Sequence, residues 1–391
     1  MTSDFPHEEI KHGGGRLTFN WIKHLSRSHE LSLLSFIREE EKPLLSASRR
    51  YFREIRTVPA YRGWRSRFRR LPLLLSLPYS VVANYSPEMV RHLKDLLSRH
   101  SFDLVQLEYF HMGQYARHLP ESVRRALVLT DVVSPVLRQQ VRMASGLKKY
   151  YYYQEWRRSR YWEKWYAIWA KNVFVLSLKD KRVVESWDVG VDSYLLPPLL
   201  DEQLFEIPEG EGQTGTILFI GAMHRPVNQD AARRLKRKIL PLVAREYPEA
   251  RCFVVGNNPP PWLMRLSDKN FIVTGAVDRI EPYLLQSSVL VAPLRVAGGI
   301  IVKILEAMAA ARPVVTSRAA NAGIGAEEDE EIVVADREED FAQKVSALLR
   351  DPFRARRIGE AARRFIRRRF DPAFSRRAID RIYEKLVKER D

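Results

Sequence analysis

The chain has 391 residues, of which 45% are hydrophobic, and its formal net charge is +17. This length exceeds what one compact α/β unit needs, so we expect two domains, each with its own core. A single cysteine, Cys252, excludes an intramolecular disulfide and a cysteine metal cluster, and it fits a reducing compartment. No apolar run reaches the roughly 18 to 20 residues that span a bilayer, and the N-terminus has no apolar signal core. The sequence therefore predicts a cytoplasmic protein.

The positive charge is concentrated in three stretches, and the rest of the chain is net negative. Residues 49–70 hold nine basic residues and one acidic residue, residues 138–171 hold nine and two, and residues 351–391 hold fourteen and seven. Basic stretches of this kind attract polyanions, either nucleic acid or the anionic lipid of a cytoplasmic leaflet. We expect reversible association with the inner membrane, and we regard nucleic acid as the less favoured partner.

The start of the chain is unusual for a Rossmann-like domain. Such a domain normally begins with a buried strand that leads into a glycine loop, whereas here Met1 is followed almost at once by Ser3 to Pro6. We therefore expect either that the sheet lacks its first strand or that the native protein begins some residues earlier.

Residues 1–200 are predicted to form the N-terminal, acceptor-side domain, because short apolar runs alternate with helical patterns. One helical pattern covers residues 17–26, where Trp21, Ile22 and Leu25 share a face. The predicted strands are 31–36, 104–107, 127–130, 174–177 and 194–196.

Residues 150–169 hold ten aromatic side chains among arginines and lysines, with Trp162, Trp165 and Trp169 on one helical face. Three interpretations are open: a helix that packs its aromatics into the N-terminal core, an interfacial membrane helix, and a surface that stacks nucleic-acid bases. The stretch 64–79, rich in arginine and then apolar, is the better candidate for contact with a membrane surface, because its apolar run is followed by no polar face.

Residues 216–370 are predicted to form a second domain, in which short β-branched runs alternate regularly with longer helical ones, as in a parallel sheet. A linker over residues 201–215 precedes it, rich in proline, glycine and acidic residues. One helix from about Asn228 should be kinked or shortened by Pro241. The predicted strands are 216–220, 252–255, 271–274, 289–292 and 314–316, with a helix over 301–310 between the last two. The basic helix in residues 371–391 has one apolar side and is expected to dock on the N-terminal domain.

Ligands of open parallel sheets bind beyond the carboxyl ends of the strands, where loops lead into helix N-termini that favour anions. The first loop of this kind is His12 to Arg16, directly before the helix at residue 17. Its glycines, which include Gly14 and Gly15, would let the backbone approach a phosphate or carboxylate closely. A plain flexible turn is the alternative.

The second loop runs from Gly221 to Asn228, again between a strand and a helix. Gly221 could admit a diphosphate, and Arg225 could pair with it. Asn228 could contact the donor, although an ordinary helix N-cap is the simpler interpretation of that residue.

The third loop follows the predicted strand at 289–293 and contains Gly298 and Gly299. The helix after it carries Lys303 and Glu306, which are three residues apart and so share a face. A lysine in the first turn can neutralise a phosphate held at the helix end, and the carboxylate can accept hydrogen bonds from vicinal ribose hydroxyls. A solvated Lys–Glu pair is the alternative.

The run from Ala292 to Val315 resembles the nucleotide-sugar-binding segment of the family 4 glycosyltransferases, which have the GT-B fold of two Rossmann-like domains facing across a cleft. Phe219 to Met223 resembles the opening of their C-terminal domain. The glycine loop, Phe102 to Val105 and Leu196 to Pro198 resemble parts of their N-terminal domain.

The resemblance implies that Glu306 binds the nucleotide ribose, since it matches the second glutamate of the family's pair. Lys303 and Arg225 match basic positions near the diphosphate, and Gly14 and Gly15 match the loop that approaches the donor across the cleft. Two positions depart from the pattern: the first glutamate of the pair is Gly298 here, and a usually small residue before the last strand is Arg312.

Two acidic residues stand at predicted strand ends in the N-terminal half, where the resemblance implies a group that faces the sugar. They are Asp131 and Glu108, and each could equally be a loop residue or a helix cap. The sequence has no compact cluster of metal ligands. No metal and no cofactor are expected, with a nucleoside-diphosphate sugar as co-substrate.

The function predicted on this basis is transfer of a sugar from a nucleoside-diphosphate donor to a lipid-linked or polysaccharide acceptor at the cytoplasmic membrane face. Retention of anomeric configuration is implied by the resemblance alone. A non-catalytic partner or scaffold protein that has kept the fold is the first alternative, suggested by Gly298. A nucleic-acid-binding protein is the second, suggested by the net charge.

Overall fold

The computed structural model describes residues 1–10, 13–60, 76–209 and 212–388. These residues form two Rossmann-like domains that face each other across a cleft, which confirms the predicted fold class. Part of the stretch 64–79, the better candidate for membrane contact, lies outside the described residues, as do residues 389–391.

The N-terminal domain contains a four-stranded parallel sheet in the order β3-β4-β5-β6 and a separate parallel pair, β1 and β2. Its strands are β1 Ser32–Ile37, β2 Glu54–Pro59, β3 Leu104–Glu108, β4 Arg124–Leu129, β5 Asn172–Val175 and β6 Asp192–Leu195. Strand β2 was not predicted, because Glu54 and Arg56 interrupt its apolar pattern. Val58 is its buried residue.

A short segment at the start of the chain joins the parallel pair to the four-stranded sheet. Thr2 pairs in parallel with Ser35 of β1 through two backbone bonds of 3.1 and 3.2 Å, and the amide of Glu108 at the end of β3 donates to the carbonyl of Met1 at 2.8 Å. A single bridging residue therefore stands where a first strand would lie between β1 and β3.

The described helices that precede the C-terminal domain belong to the N-terminal domain, apart from the last, which lies in the linker and contacts the C-terminal domain. They are α1 Gly13–Leu25, α2 Leu45–Ser48, α3 Tyr79–Ala83, α4 Pro87–Arg99, α5 Val133–Met143, α6 Gly146–Ala170, α7 Leu178–Glu185 and α8 Gln203–Glu206, with 3₁₀ segments at Glu39–Leu44, Arg49–Tyr51 and Phe110–His118. Helix α6 contains the aromatic-rich stretch, and its buried residues include Glu155, Ser159, Glu163 and Tyr166.

The aromatic residues of α6 are divided between the core and the surface. Tyr166 is buried, whereas Tyr150 is 54% exposed and Tyr161 56%. Trp165, predicted to share a face with Trp162 and Trp169, is 39% exposed, while those two tryptophans are half-buried. Core packing therefore accounts for only the inner side of the helix. Part of that inner side is formed by the buried carboxylates of Glu155 and Glu163.

The C-terminal domain contains a six-stranded parallel sheet in the order β12-β11-β10-β7-β8-β9. Its strands are β7 Thr216–Ile220, β8 Arg251–Val255, β9 Phe271–Gly275, β10 Val289–Ala292, β11 Val314–Thr316 and β12 Val333–Val334. All five residues of β7 and all four of β10 are buried, as expected of central strands covered by helices on both faces.

The helices of the C-terminal half are α9 Pro226–Arg234, α10 Leu240–Glu246, α11 Pro261–Met264, α12 Glu281–Gln286, α13 Val302–Ala309, α14 Arg318–Ile324, α15 Glu338–Arg350, α16 Pro352–Phe370 and α17 Pro372–Lys388. The helix continues past Pro241. A π-helical turn at Leu235–Ile239, just before the proline, joins α9 to α10.

Helix α17 lies against the N-terminal domain. Asp380 accepts a hydrogen bond from His24 of α1 at 2.7 Å, and the hydroxyl of Tyr383 donates to Gln106 of β3. Arg376 forms an ion pair with Glu202 at 2.6 Å. In the described ranges no helix is long and apolar enough to cross a membrane.

Arg312 ties the linker to the C-terminal domain. It is 1% exposed, and its guanidinium donates to the carbonyls of Ala310 at 3.1 Å and Pro208 at 2.8 Å. Arg363 of α16 donates nearby to Ile207 and Ala309. The large residue at position 312 is therefore a structural anchor that lies away from the cleft.

Candidate functional site

A cleft of about 760 Å³ separates the two domains. The N-terminal domain contributes the start of α1 and the loop after β4, and the C-terminal domain contributes the loops after β7, β8, β9 and β10. The lining residues that the sequence predicted are Gly14, Asp131, Gly221, Arg225, Asn228, Gly298 and Lys303. The carboxyl ends of parallel strands from both domains therefore open onto one space.

The glycine-rich segment forms the first turn of α1 and is not the separate loop that the sequence predicted. Helix α1 begins at Gly13, and a Cβ on that residue would lie 2.9 Å from the Cβ of Val302 at the start of α13. Only a glycine lets the two helix N-termini approach this closely. Both positive helix ends consequently point toward the same part of the cleft, which favours an anion there.

Lys303 lies in the cleft wall and is fixed by neighbours from the loop after β7. Its Nζ donates to Oδ1 of Asn228 at 2.8 Å and lies 4.4 Å from the centroid of the Phe219 ring. A Cβ at Gly221 would lie 3.0 Å from the same Nζ, so glycine leaves the ammonium accessible. Burial, with the charge of Arg225, lowers the pKa of Lys303 to about 7.

Asn228 is not the N-cap of its helix. Arg225 occupies that position, and Asn228 is the third residue of α9, with its amide donating back to the carbonyl of Ala222 at 2.9 Å. Its side chain thereby links the loop after β7 to Lys303. The structure thus favours a role for Asn228 in the site, through the lysine that it holds.

Arg225 lines the cleft. Its positive charge lowers the pKa of two groups that face the same space, Lys303 and Asp131. Arg225 and Lys303 therefore place two basic groups close together in the cleft.

Glu306 lies behind the cleft wall, 4% exposed, and does not itself line the cleft. Its Oε1 forms an ion pair with Nη2 of Arg16 at 2.6 Å, so a residue of the N-terminal domain holds it across the domain boundary. Burial raises the pKa of Glu306, and the charge and hydrogen bond of Arg16 oppose this effect.

Gly298 and Gly299 lie against the loop after β4 of the opposite domain. A Cβ at Gly298 would lie 2.4 Å from Cγ2 of Val136 and 3.0 Å from Oδ2 of Asp131, and a Cβ at Gly299, whose φ is +54°, would lie 2.3 Å from the carbonyl oxygen of Thr130. A glutamate at position 298 does not fit this arrangement. The position that departs from the family pattern is therefore an interdomain contact in which Asp131 fills the space.

Asp131 is half-buried and lines the cleft beside Gly298 and Arg225. Burial raises its pKa, with a further contribution from Asp180, while Arg225 and Lys179 lower it. A carboxylate from the N-terminal domain therefore reaches the cleft at the point where the two domains come closest.

Besides Glu306, three predicted site residues lie outside the cleft lining. Glu108 is 4% exposed, accepts hydrogen bonds from Gln106 and, at 3.4 Å, from Thr18, and lines a separate cavity near α17. The prediction that it faces the sugar does not fit the structure, because its strand ends beneath α1. Gly15 is buried in the first turn of α1, and Gly299 supports the loop of Gly298.

Several cleft residues were not predicted. Arg16, Tyr109, Asn257 and Glu281 all line the space. Nε of Arg16 and Oδ1 of Asn257 are buried and have no hydrogen-bond partner among the described residues. Asn257 and Glu281 follow strands β8 and β9, so their positions after predicted strands were an available signal. In the part of the chain that the structure describes, no cluster of side chains could hold a metal ion.

Comparison with known proteins shows what the chain is similar to. Residues 214–351 match the family model of the group 1 glycosyl transferases. No curated protein matches the sequence. Among solved structures, sucrose-phosphate synthase of Thermosynechococcus elongatus superposes with a TM-score of 0.73 at 16% identity, over 98% of each chain.

Two further structures cover nearly all of this chain. HepE of Anabaena in complex with UDP-glucose has a TM-score of 0.68 at 12% identity, over 98% of this chain and 99% of that one. WaaG, a glycosyltransferase involved in lipopolysaccharide biosynthesis, has a TM-score of 0.62 at 13% identity, over 97% and 99%. The fold is therefore that of the GT-B glycosyltransferases.

The C-terminal domain adds the more specific assignment. Its match to the group 1 glycosyl transferases confirms the resemblance found in the sequence, and it supports an enzyme of the glycosyltransferase class.

Proposed function

We propose that the protein transfers a sugar from a nucleoside-diphosphate donor to a lipid-linked or polysaccharide acceptor at the cytoplasmic membrane face, with retention of anomeric configuration. The observation that carries the donor part is the convergence of two helix N-termini, Arg225 and Lys303 on one interdomain cleft. The likeness to HepE, solved in complex with UDP-glucose, supports a nucleotide sugar as donor, and the likeness to WaaG, which is involved in lipopolysaccharide biosynthesis, supports an acceptor of that kind.

In this proposal the diphosphate lies between the starts of α1 and α13. When the bond from the anomeric carbon to the diphosphate oxygen breaks, its electron pair stays on the diphosphate, and negative charge grows there. Arg225, Lys303 and the two helix ends stabilise that charge in a partly dehydrated site. The ribose lies toward Glu306, behind Lys303 on the same helix.

Asp131 is proposed as the carboxylate that faces the donor sugar from the N-terminal domain. It stands against Gly298, so it reaches the part of the cleft where the resemblance places the sugar. Asp131→Asn keeps the size of the side chain and removes its charge. We expect turnover to fall by about 10²-fold or more with donor affinity nearly unchanged, as for a group that acts mainly in the transition state. A large loss of donor affinity at unchanged turnover would contradict this role.

The acceptor part of the proposal depends on the surface of the N-terminal domain. The first turns of α6 expose Leu147 at 90%, Lys148, Lys149 and Tyr150, and this mixture of apolar, aromatic and basic side chains suits the headgroup region of an anionic membrane. Flotation with acidic vesicles should show binding that weakens as salt is raised. If the protein binds neither acidic nor neutral vesicles, the proposal of an acceptor at the membrane is refuted.

A screen of thermal stability tests the proposal against its two alternatives. Nucleoside diphosphates, nucleotide sugars and oligonucleotides are compared as ligands. Stabilisation by a nucleotide sugar together with slow hydrolysis of that donor supports the enzyme. Binding without hydrolysis or transfer, once acceptors have been supplied, would favour a non-catalytic GT-B protein. Stabilisation by oligonucleotides alone would favour a nucleic-acid-binding protein.

A further inference from the structure

An ion pair between Arg16 and Glu306 links the two domains at the cleft. Arg16 projects from the first turn of α1, and Glu306 from the second turn of α13. Nη2 of Arg16 lies 2.6 Å from Oε1 of Glu306, a distance typical of a charge-assisted hydrogen bond. The side chain of Glu306 is 6% exposed, so solvent screens this pair only weakly.

Only one oxygen of Glu306 is used by this contact. Oε2 is buried and has no hydrogen-bond partner among the described residues. An ionised carboxylate accepts hydrogen bonds at both oxygens, and an unsatisfied buried acceptor is costly to keep. The arrangement of Glu306 therefore leaves one acceptor, directly behind a cleft wall that includes Arg16, for a ligand that donates hydroxyl groups.

We propose that Arg16 is a positioning residue: it fixes Glu306 from the opposite domain so that the free oxygen accepts hydrogen bonds from the ribose of the donor. This inference extends the proposed function, since it assumes that a nucleotide binds in the cleft. It assigns part of ribose recognition to the N-terminal domain. Nucleotide affinity then depends on closure of the two domains, because opening the cleft would separate Arg16 from Glu306.

The charges around Glu306 give Arg16 a second effect. Burial, Glu281 of α12 and Asp201 of the linker all raise the pKa of Glu306, whereas Arg16 lowers it and Lys303 on the same helix is also positive. Without Arg16 the carboxyl group would hold its proton to higher pH. A protonated carboxyl accepts hydrogen bonds less strongly than a carboxylate, so Arg16 also keeps the ribose acceptor ionised.

The test compares binding of UDP, ADP and GDP, each beside its 2′-deoxy counterpart, to the full chain by calorimetric titration. The variants are Arg16→Ala, Arg16→Lys and Glu306→Gln, and Arg27→Ala is the matched control because Arg27 is exposed in the turn after α1. Circular dichroism and thermal unfolding show whether each variant is folded.

We expect the original protein and Arg27→Ala to prefer the ribonucleotide by about tenfold or more, in line with a charge-assisted hydrogen bond. Arg16→Ala should reduce this ratio to about threefold or less. Part of the remaining preference should be lost as the pH is lowered. Arg16→Lys should keep more of the ratio, and adding Arg16→Ala to Glu306→Gln should change it little further, because both act through one carboxylate.

Three results would overturn the assignment. Equal weakening of ribo- and deoxyribonucleotides by Arg16→Ala would make Arg16 a phosphate contact, and tighter ribonucleotide binding would make it a competitor for Glu306. An unchanged ratio in folded Arg16→Ala would make the ion pair purely structural. If the unmodified protein binds no nucleotide at all, the proposed function itself is refuted, and not only the role of Arg16.

Discussion

Lys303 allows a quantitative test of the donor site, because its ammonium group is partly neutral before the donor binds. Burial and Arg225 lower its pKa to about 7, so roughly half of the molecules carry an uncharged lysine at pH 7. A bound diphosphate places negative charge beside Nζ and raises this pKa again. Donor binding should therefore take up a proton, and affinity should fall as the pH is raised above 7.

The size of the effect follows from that pKa. Uptake should be almost zero at pH 6, about 0.5 proton per donor at pH 7 and about 0.9 at pH 8. The assay is calorimetric titration with a nucleoside-diphosphate sugar such as UDP-glucose, in two buffers of different ionisation enthalpy. A nucleotide sugar is used because its diphosphate does not itself titrate near neutral pH.

Lys303→Met is the matched variant, since methionine is similar in length and carries no charge. It should abolish the proton uptake above pH 7. Turnover should fall more than donor affinity, because the lysine matters most while charge develops on the leaving diphosphate. The reasoning is refuted if Lys303→Met takes up as many protons as the original protein, since another group would then be titrating.

Three further predictions concern two residues at the cleft and one residue away from it. Glu306→Ala should remain folded and lower donor affinity by about one to two orders of magnitude, which titration measures; unchanged affinity would exclude contact with the ribose. Gly298→Ala places a Cβ 2.4 Å from Val136 and should reduce turnover by at least about tenfold, with recovery in the double variant that also carries Val136→Ala. Arg312→Ala should lower the free energy of unfolding by about 2 to 4 kcal/mol in denaturant titration without changing donor affinity, because the arginine anchors the linker away from the cleft.

The sequence predicted the C-terminal domain well because its central strands are continuous apolar runs. Strands β7, β10 and β11 begin and end where they were predicted. Strand β2 was missed because it is partly exposed and carries charged residues. Helix α1 was predicted to begin at residue 17 and instead begins at Gly13, which packs against Val302 of the opposite domain. This contact depends on the position of the other domain, so no local sequence pattern indicates where the helix begins.

The candidate site shows the same difference between features with a local sequence pattern and contacts that depend on the other domain. Lys303, Arg225 and Gly221, which were predicted because each follows a recognisable strand, line the cleft. Asp131 was found at a strand end, but its contact with Gly298 depends on how the domains close. Glu108 satisfied the same rule but lies outside the cleft, because position after a strand does not reveal that a helix covers the strand end.

Unsatisfied polar atoms in the cleft wall and directly behind it restrict the kind of ligand that the cleft suits. Nε of Arg16 lacks an acceptor, whereas Oδ1 of Asn257 and Oε2 of Glu306 lack donors, as far as the described residues show. Each such buried atom costs about 1 to 3 kcal/mol, so a ligand that satisfied all three would gain substantially on binding. A bare polyanion would satisfy only the arginine. A ligand with phosphate oxygens, hydroxyl groups and base edges in one compact molecule could satisfy all three, which favours a nucleotide sugar over an oligonucleotide despite the net charge of +17.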